Sequence, residues 1–302
     1  MRRALELLSQ AGFAPALPFP AAVAQVRARC GLDLSGTRAR CGFSRGHLLD
    51  VVVYVPGGLG GEPEQAAAEE LVRLVIGEER FERWVGTVSA TPTVRGGAIT
   101  VLTVLNDNPE ERAAFPLAAL PDAITAAIAG LKLGLPAEPL PLHSQTEDWV
   151  LFELCPELAD DYAAQDDLLI ASTRLPEQKK SYLRGEPFFS GRFSKAGELF
   201  VYLKYESSVA AGAARLAERT AIEAQLTRTL RPGQGALVGV GLGIRYCYLD
   251  LALSDPDCAR GALLPALRPA IASQRAWLLF CDSELDREWI PVHSEAPKPF
   301  WG

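Results

Sequence analysis

Three prolines, Pro136, Pro139 and Pro141, fall within the stretch from Gly134 to Ser144, and they constrain this chain more than any other feature. Each fixes its own φ, removes an amide donor and pushes the preceding residue out of helical geometry. A segment built this way resists helix and sheet alike and reads as a linker. It divides the 302 residues into two halves, each of ordinary domain length. The expected organisation is an N-terminal domain over 1–135, a linker over 136–146 and a C-terminal domain over 147–302.

Both halves mix the two hydrophobic periods. In the first, residues 4–11 and Pro20 to Gly31 read as short helices, the second with Val23, Val26 and Cys30 inward. A strand is expected at 48–55, a helix from Glu62 to Gly77, and strands at 81–91 and 98–105. A helix opened by Pro121 follows. In the second half, strands are expected at 149–155, 168–172, 199–205, 236–242, 244–253 and 276–281. One helix should run from Ser207 or Ser208 to Leu230, and another from Pro256 to Ser273, kinked or divided by Pro265 and Pro269. The fold class is therefore α/β or α+β, with two mixed sheet-and-helix domains. Leu48 to Pro92 and Ile244 to Pro291 share a strand, loop, helix, strand plan, which two related ferredoxin-like units would explain.

Composition narrows the function classes. Hydrophobic residues make up 48% and charged residues 22%, enough apolar surface to fold. The formal net charge of −7 argues against a general nucleic-acid binder. The N-terminus lacks an apolar core of signal-peptide length, and no stretch reads as a membrane span. No two of the six cysteines form a C-x-x-C pair. Cys155, Cys247 and Cys281 sit in apolar runs, as reduced buried thiols do. His47, His143 and His293 lack ligand spacing to any Cys, so neither a metal nor a cofactor is expected. Arg far outnumbers Lys, Ala is abundant and Met1 is the single Met, a bacterial GC-rich bias; the expected compartment is the cytoplasm.

Three short motifs carry little. Gly42-Phe43-Ser44-Arg45-Gly46 matches the G-x-S-x-G nucleophile elbow, but a strand follows where that motif needs a helix. Gly239, Gly241 and Gly243 look like half of a dinucleotide loop, but strand-like sequence again continues past them, so a glycine-bearing buried strand is expected. Asp282, Glu284, Asp286 and Glu288 could form a carboxylate row on a strand; a turn with the acids in water is the preferred reading.

Charge distribution says more. Residues 145–173 carry eight acids and no Lys or Arg, whereas 174–204 carry seven bases against Glu177, Glu186 and Glu198. Two solvated faces that pair with each other would account for this. Within the basic part, Arg174 to Lys195 is long, without clear period, and mixes bases with aromatics. Long irregular segments in compact domains are functional or disordered, and Arg and aromatic residues are enriched in interface hot spots. Arg174, Lys179, Lys180, Tyr182, Arg184, Phe188, Phe189, Arg192 and Lys195 are thus the candidate partner- or ligand-binding residues. The function expected is non-catalytic protein binding, as in an immunity, adaptor or regulatory protein. The alternative is an enzyme acting on a phosphorylated or other anionic small molecule, with this segment as clamp.

Overall fold

In the computed structural model, residues 13–56, 61–93, 113–139, 149–231 and 233–301 are described. They form a mixed helix-and-sheet structure with two sheets, divided into two compact units, 13–134 and 135–301. The expected helix at 4–11, the strand at 98–105 and most of the proline-rich segment lie outside the described residues.

In the N-terminal unit, α1 (Phe19–Cys30) opens on Pro20 and ends at Gly31, whose φ of 75° lets its N–H reach Arg27 O. It buries Val23 and Val26; Cys30, expected inward, is exposed. β1 (Arg38–Phe43) and β2 (Leu49–Pro56) form an antiparallel hairpin. α2 (Glu62–Ile76) turns Ala67, Ala68, Leu71, Val72 and Val75 inward, one stripe of a 3.6-residue period. α3 (Glu78–Trp84) occupies the first part of the strand expected from 81. Phe81 and Trp84, three apart, both bury from a helix, a spacing that a strand would send to opposite faces. β3 (Val85–Thr93) then runs parallel to β2, and β4 (Phe115–Pro116) pairs with β1, giving the order β3-β2-β1-β4. α4 (Leu120–Gly134) packs on β1 and α2. With the turn before it, Leu117–Gly134 averages a hydropathy of 1.4, and among the described residues it is the one segment long and apolar enough to cross a membrane.

The C-terminal unit is a seven-stranded antiparallel sheet in the order β11-β10-β7-β9-β8-β6-β5. Its strands are β5 (Val150–Glu153), β6 (Leu168–Thr173), β7 (Leu199–Glu206), β8 (Gly235–Gly243), β9 (Tyr246–Leu253), β10 (Ala276–Phe280) and β11 (Trp289–Pro291). Before β7 lies α5 (Pro176–Leu183). α6 (Ala213–Thr229) joins β7 to β8, and α7 (Pro256–Leu267) joins β9 to β10. The run β7-α6-β8-β9-α7-β10, with spatial order β10-β7-β9-β8, is the ferredoxin-like βαββαβ arrangement. β5 and β6 extend one edge and β11 the other.

The two shared strand–helix–strand stretches differ in topology. In the N-terminal unit the crossover returns to the neighbouring strand, whereas β9 and β10 are separated by β7. α6 starts later than expected because Ser207 and Ser208 do not cap it; both bind the Glu218 carboxylate instead. α7 retains Pro265 and ends at Leu267, short of Ser273.

β7, β9 and β10 are buried almost throughout, so both faces of the sheet centre are covered. On one face Leu199, Val201, Leu203, Leu249, Leu251 and Leu278 meet Ile222 and Leu226 of α6 and Leu263 and Leu267 of α7. The other face presents Phe200, Tyr202, Lys204, Tyr246, Tyr248, Asp250 and Trp277, a mixture of aromatic and charged groups under the 154–198 segment.

Candidate functional site

The site is built where the 154–198 segment lies on that second face. α5 begins with Pro176, whose missing amide costs a first turn nothing. Gln178, Lys179 and Ser181 face the protein, against the expectation of a solvated irregular stretch. Lys179 is 1% exposed and its Nζ lies 3.2 Å from Asp250 Oδ2 in the middle of β9. Gln165 completes a triad, its Nε2 donating to Asp250 Oδ1 at 2.9 Å while its Oε1 accepts from Lys179. Burying a charge is costly unless it is paired and hydrogen-bonded, and here each partner supplies what the other lacks.

Glycine makes the room. A Cβ on Gly239 would sit 2.4 Å from Asp250 Oδ2, and one on Gly243 2.4 Å from Asp167 Oδ1. A Cβ on Gly241 would meet Leu168 at 2.6 Å. The glycine run is therefore the second half of a strand, β8, where every second side chain from 239 to 243 is deleted to admit a buried polar layer. Asp167 is fully buried and accepts from the amides of Arg245 (2.7 Å) and Tyr246 (2.9 Å) and from the Tyr248 hydroxyl. Lys204 donates to Tyr162 O and lies 4.2 Å from the centre of the Tyr246 ring. Burial pulls the Lys204 ammonium down to about 8, opposed by Asp167.

The second part of the segment is pinned in the same way. Asp282 is buried and accepts from Ser190 N (2.7 Å) and from the Ser190 hydroxyl. Arg192 has no exposed surface and donates to Pro187 O; burial lowers its guanidinium to about 10, with Asp282 and Glu186 opposing. Phe188 is buried, stacked on Phe193 at 5.0 Å and edge-on to Phe200 at 5.9 Å.

Of the nine residues expected to face a partner, the structure thus places Lys179, Phe188 and Arg192 in the interior. Long apolar stems and close partners hold them there, and nothing in local sequence separates a buried cation from an exposed one. Arg184 and Lys195 are exposed and Lys180 is half-buried; Lys180 pairs with Glu177 at 2.6 Å and Arg184 with Glu186 at 3.8 Å. Arg174, Tyr182 and Phe189 are half-buried, and Tyr182 donates to Asp166 while accepting from Gln165 N. The acidic and basic stretches do not simply pair with each other either. Asp161 meets Arg275 and Tyr246, and Glu206 meets Arg245 at 2.7 Å.

Beside the triad opens a cavity of about 330 Å³. Its wall includes Ala164, Gln165, Gln178, Tyr182, Glu186 and Phe188, with Tyr202, Cys281 and Asp286 from the other side. Among these described lining residues there is no Lys, Arg or His. Cys281 receives a hydrogen bond from Gln178 Nε2 at 2.9 Å, and burial pushes its thiol well up, as it does the Tyr202 phenol. Ala164 holds a φ of 33°, a left-handed conformation rare for a residue with a Cβ.

The remaining motifs settle plainly. Ser44 sits between β1 and a single 3₁₀ turn, Arg45–His47, that leads into β2; its hydroxyl donates to Leu48 O at 3.2 Å, and no α-helix follows it. Ser283–Leu285 is a single 3₁₀ turn, not a strand, although Asp282 is buried instead of solvated. Cys155, expected buried, is exposed at the end of β5. Among the described residues no cluster of three or more His, Cys, Asp or Glu could hold a metal. Sequence reasoning missed Gln165, Asp167, Lys204, Asp250 and Tyr202. The signal that could have found them is the alternation of glycine at 239, 241 and 243 in β8, opposite Asp250 in an otherwise apolar strand.

Comparison with known proteins finds no matching family model, no matching curated protein and no matching solved structure.

Proposed function

We propose that this is a non-catalytic protein-binding protein of the immunity, adaptor or regulatory kind, working in a bacterial cytoplasm. The surface assigned to the partner is the outer side of 174–195, with Arg174, Lys180, Arg184 and Lys195 around the exposed Leu183. The observation that carries the reading is that this basic segment is fastened from beneath by Lys179–Asp250–Gln165 and by Ser190–Asp282. A surface held rigid before binding loses little conformational entropy on association. An acidic partner protein would supply the complementary charge. The thiol and phenols nearby support binding over chemistry, since burial moves Cys281, Tyr182 and Tyr202 away from ionisation at neutral pH.

The test is affinity purification of the tagged chain from its native host beside a Lys180→Glu/Arg184→Glu/Lys195→Glu variant. A protein recovered with the parent and lost with the variant, whose circular dichroism is unchanged, is the expected result. Identical recovery would move the interface elsewhere. Arg192→Ala, by contrast, should destabilise the fold, because it removes a fully buried side chain.

A further inference from the structure

We propose that the cavity beneath α5 is a binding site for a small organic ammonium ion carrying an apolar or aromatic body. This goes beyond the partner surface and does not depend on it. Its volume of about 330 Å³ is within the range of small-ligand pockets. The rings of Tyr182, Phe188 and Tyr202 line it, and ring faces attract cations.

The polar groups in the wall decide the sign of the ligand. Gln178 and Glu186 contribute an amide and a carboxylate to the wall; Gln178 Oε1 and Glu186 Oε2 themselves are enclosed and make no hydrogen bond among the described residues. Asp286 adds a second carboxylate, exposed at the mouth. Arg184 pairs with Glu186 at 3.8 Å and buried Arg192 also feels the Glu186 charge, but both stand outside the lining. A cavity offering acceptors and carboxylates with no cation of its own suits a ligand that brings N–H donors and positive charge. An anion there would meet like charge in a partly desolvated site. The alternative clamp for phosphorylated substrates therefore does not fit this cavity, since Lys179 is paired with Asp250 and neither it nor Arg192 belongs to the wall. Ala164, in its left-handed conformation on the wall, is the kind of held backbone outlier found at ligand sites.

The experiment is calorimetric titration of the full chain with 2-phenylethylammonium, and in parallel with 3-phenylpropionate, its anionic counterpart of similar size. Saturable binding of the cation, with the anion at least 10-fold weaker, is expected. Glu186→Gln should weaken the cation at least 5-fold, Phe188→Leu, which removes a ring from the wall, should weaken it measurably, and Glu177→Gln, which is outside the cavity lining, should leave it unchanged. Should Glu186→Gln fail to fold, Phe188→Leu and the anion comparison still decide the matter. Equal affinity for cation and anion, no binding of the cation at millimolar concentration, or equal loss with Glu177→Gln would each overturn the proposal.

Discussion

Replacing Lys179 with Met tests how the 174–195 segment is held. The ammonium is 1% exposed and 3.2 Å from Asp250 Oδ2, whose residue is 2% exposed. Met keeps the length of the stem and removes the charge. Asp250 would then retain one side-chain donor, Gln165 Nε2 at 2.9 Å, while staying enclosed by β7 and β8. Leaving one buried charge without its partner typically costs about 3–5 kcal/mol. The Gln165 bond offsets part of that, so a loss of about 3 kcal/mol is expected. Asp250→Asn alone should cost a similar amount, because it strands the Lys179 ammonium. The double variant should be more stable than the sum of the singles predicts, by ~2 kcal/mol, the coupling typical of contacting buried groups. Urea unfolding followed by tryptophan fluorescence suits the purpose, as Trp149, Trp277, Trp289 and Trp301 all belong to the C-terminal unit. Single-variant losses below about 1 kcal/mol that simply add would refute the buried-pair account and place both side chains in water.

Gly239→Ala should destabilise the same unit by about 1–3 kcal/mol, because its Cβ would press on Asp250, and Asp250→Ala should relieve part of that cost; the urea midpoint checks both. Lys204 gives a pH signature. Its ammonium is held near 8 in the folded state against an ordinary value of 10.5, so above pH 8 the unfolded chain binds more protons and stability rises. The rise, at most about 1.4 kcal/mol per pH unit, should be visible between roughly pH 8 and 9 and absent in Lys204→Met. Further up, the Cys247 thiol, pushed to about 11 by burial from 9.0, acts with the opposite sign, since the unfolded thiol ionises first. Thiol reagents at neutral pH should modify exposed Cys30 and Cys155 quickly and buried Cys247 slowly; Cys281, expected buried but half-buried in the structure, should also react slowly because its thiol is pushed up, and fast labelling there, assigned by mass spectrometry, would contradict that.

Local pattern determined a good deal of this protein. The alternating and 3.6-residue periods located β2, α2, β7, β8 and β9, since those elements bury a face that the period marks out, and Pro20 and Gly31 set the ends of α1 through their own backbone preferences. Short or half-exposed elements escaped. β1 carries polar Arg38 and Arg40, β11 has three residues, and α3 hides two aromatics in seven positions. Tertiary structure alone decided which charges are interior. Lys179 and Lys180 are neighbours of identical type, yet one meets Asp250 on a strand seventy-one positions further along the chain and the other reaches water. Pairing across that separation depends on how the strands order themselves in the sheet, which no window of sequence contains. The cavity has the same origin, for its wall draws on 164–188, Tyr202 and 280–286 at once.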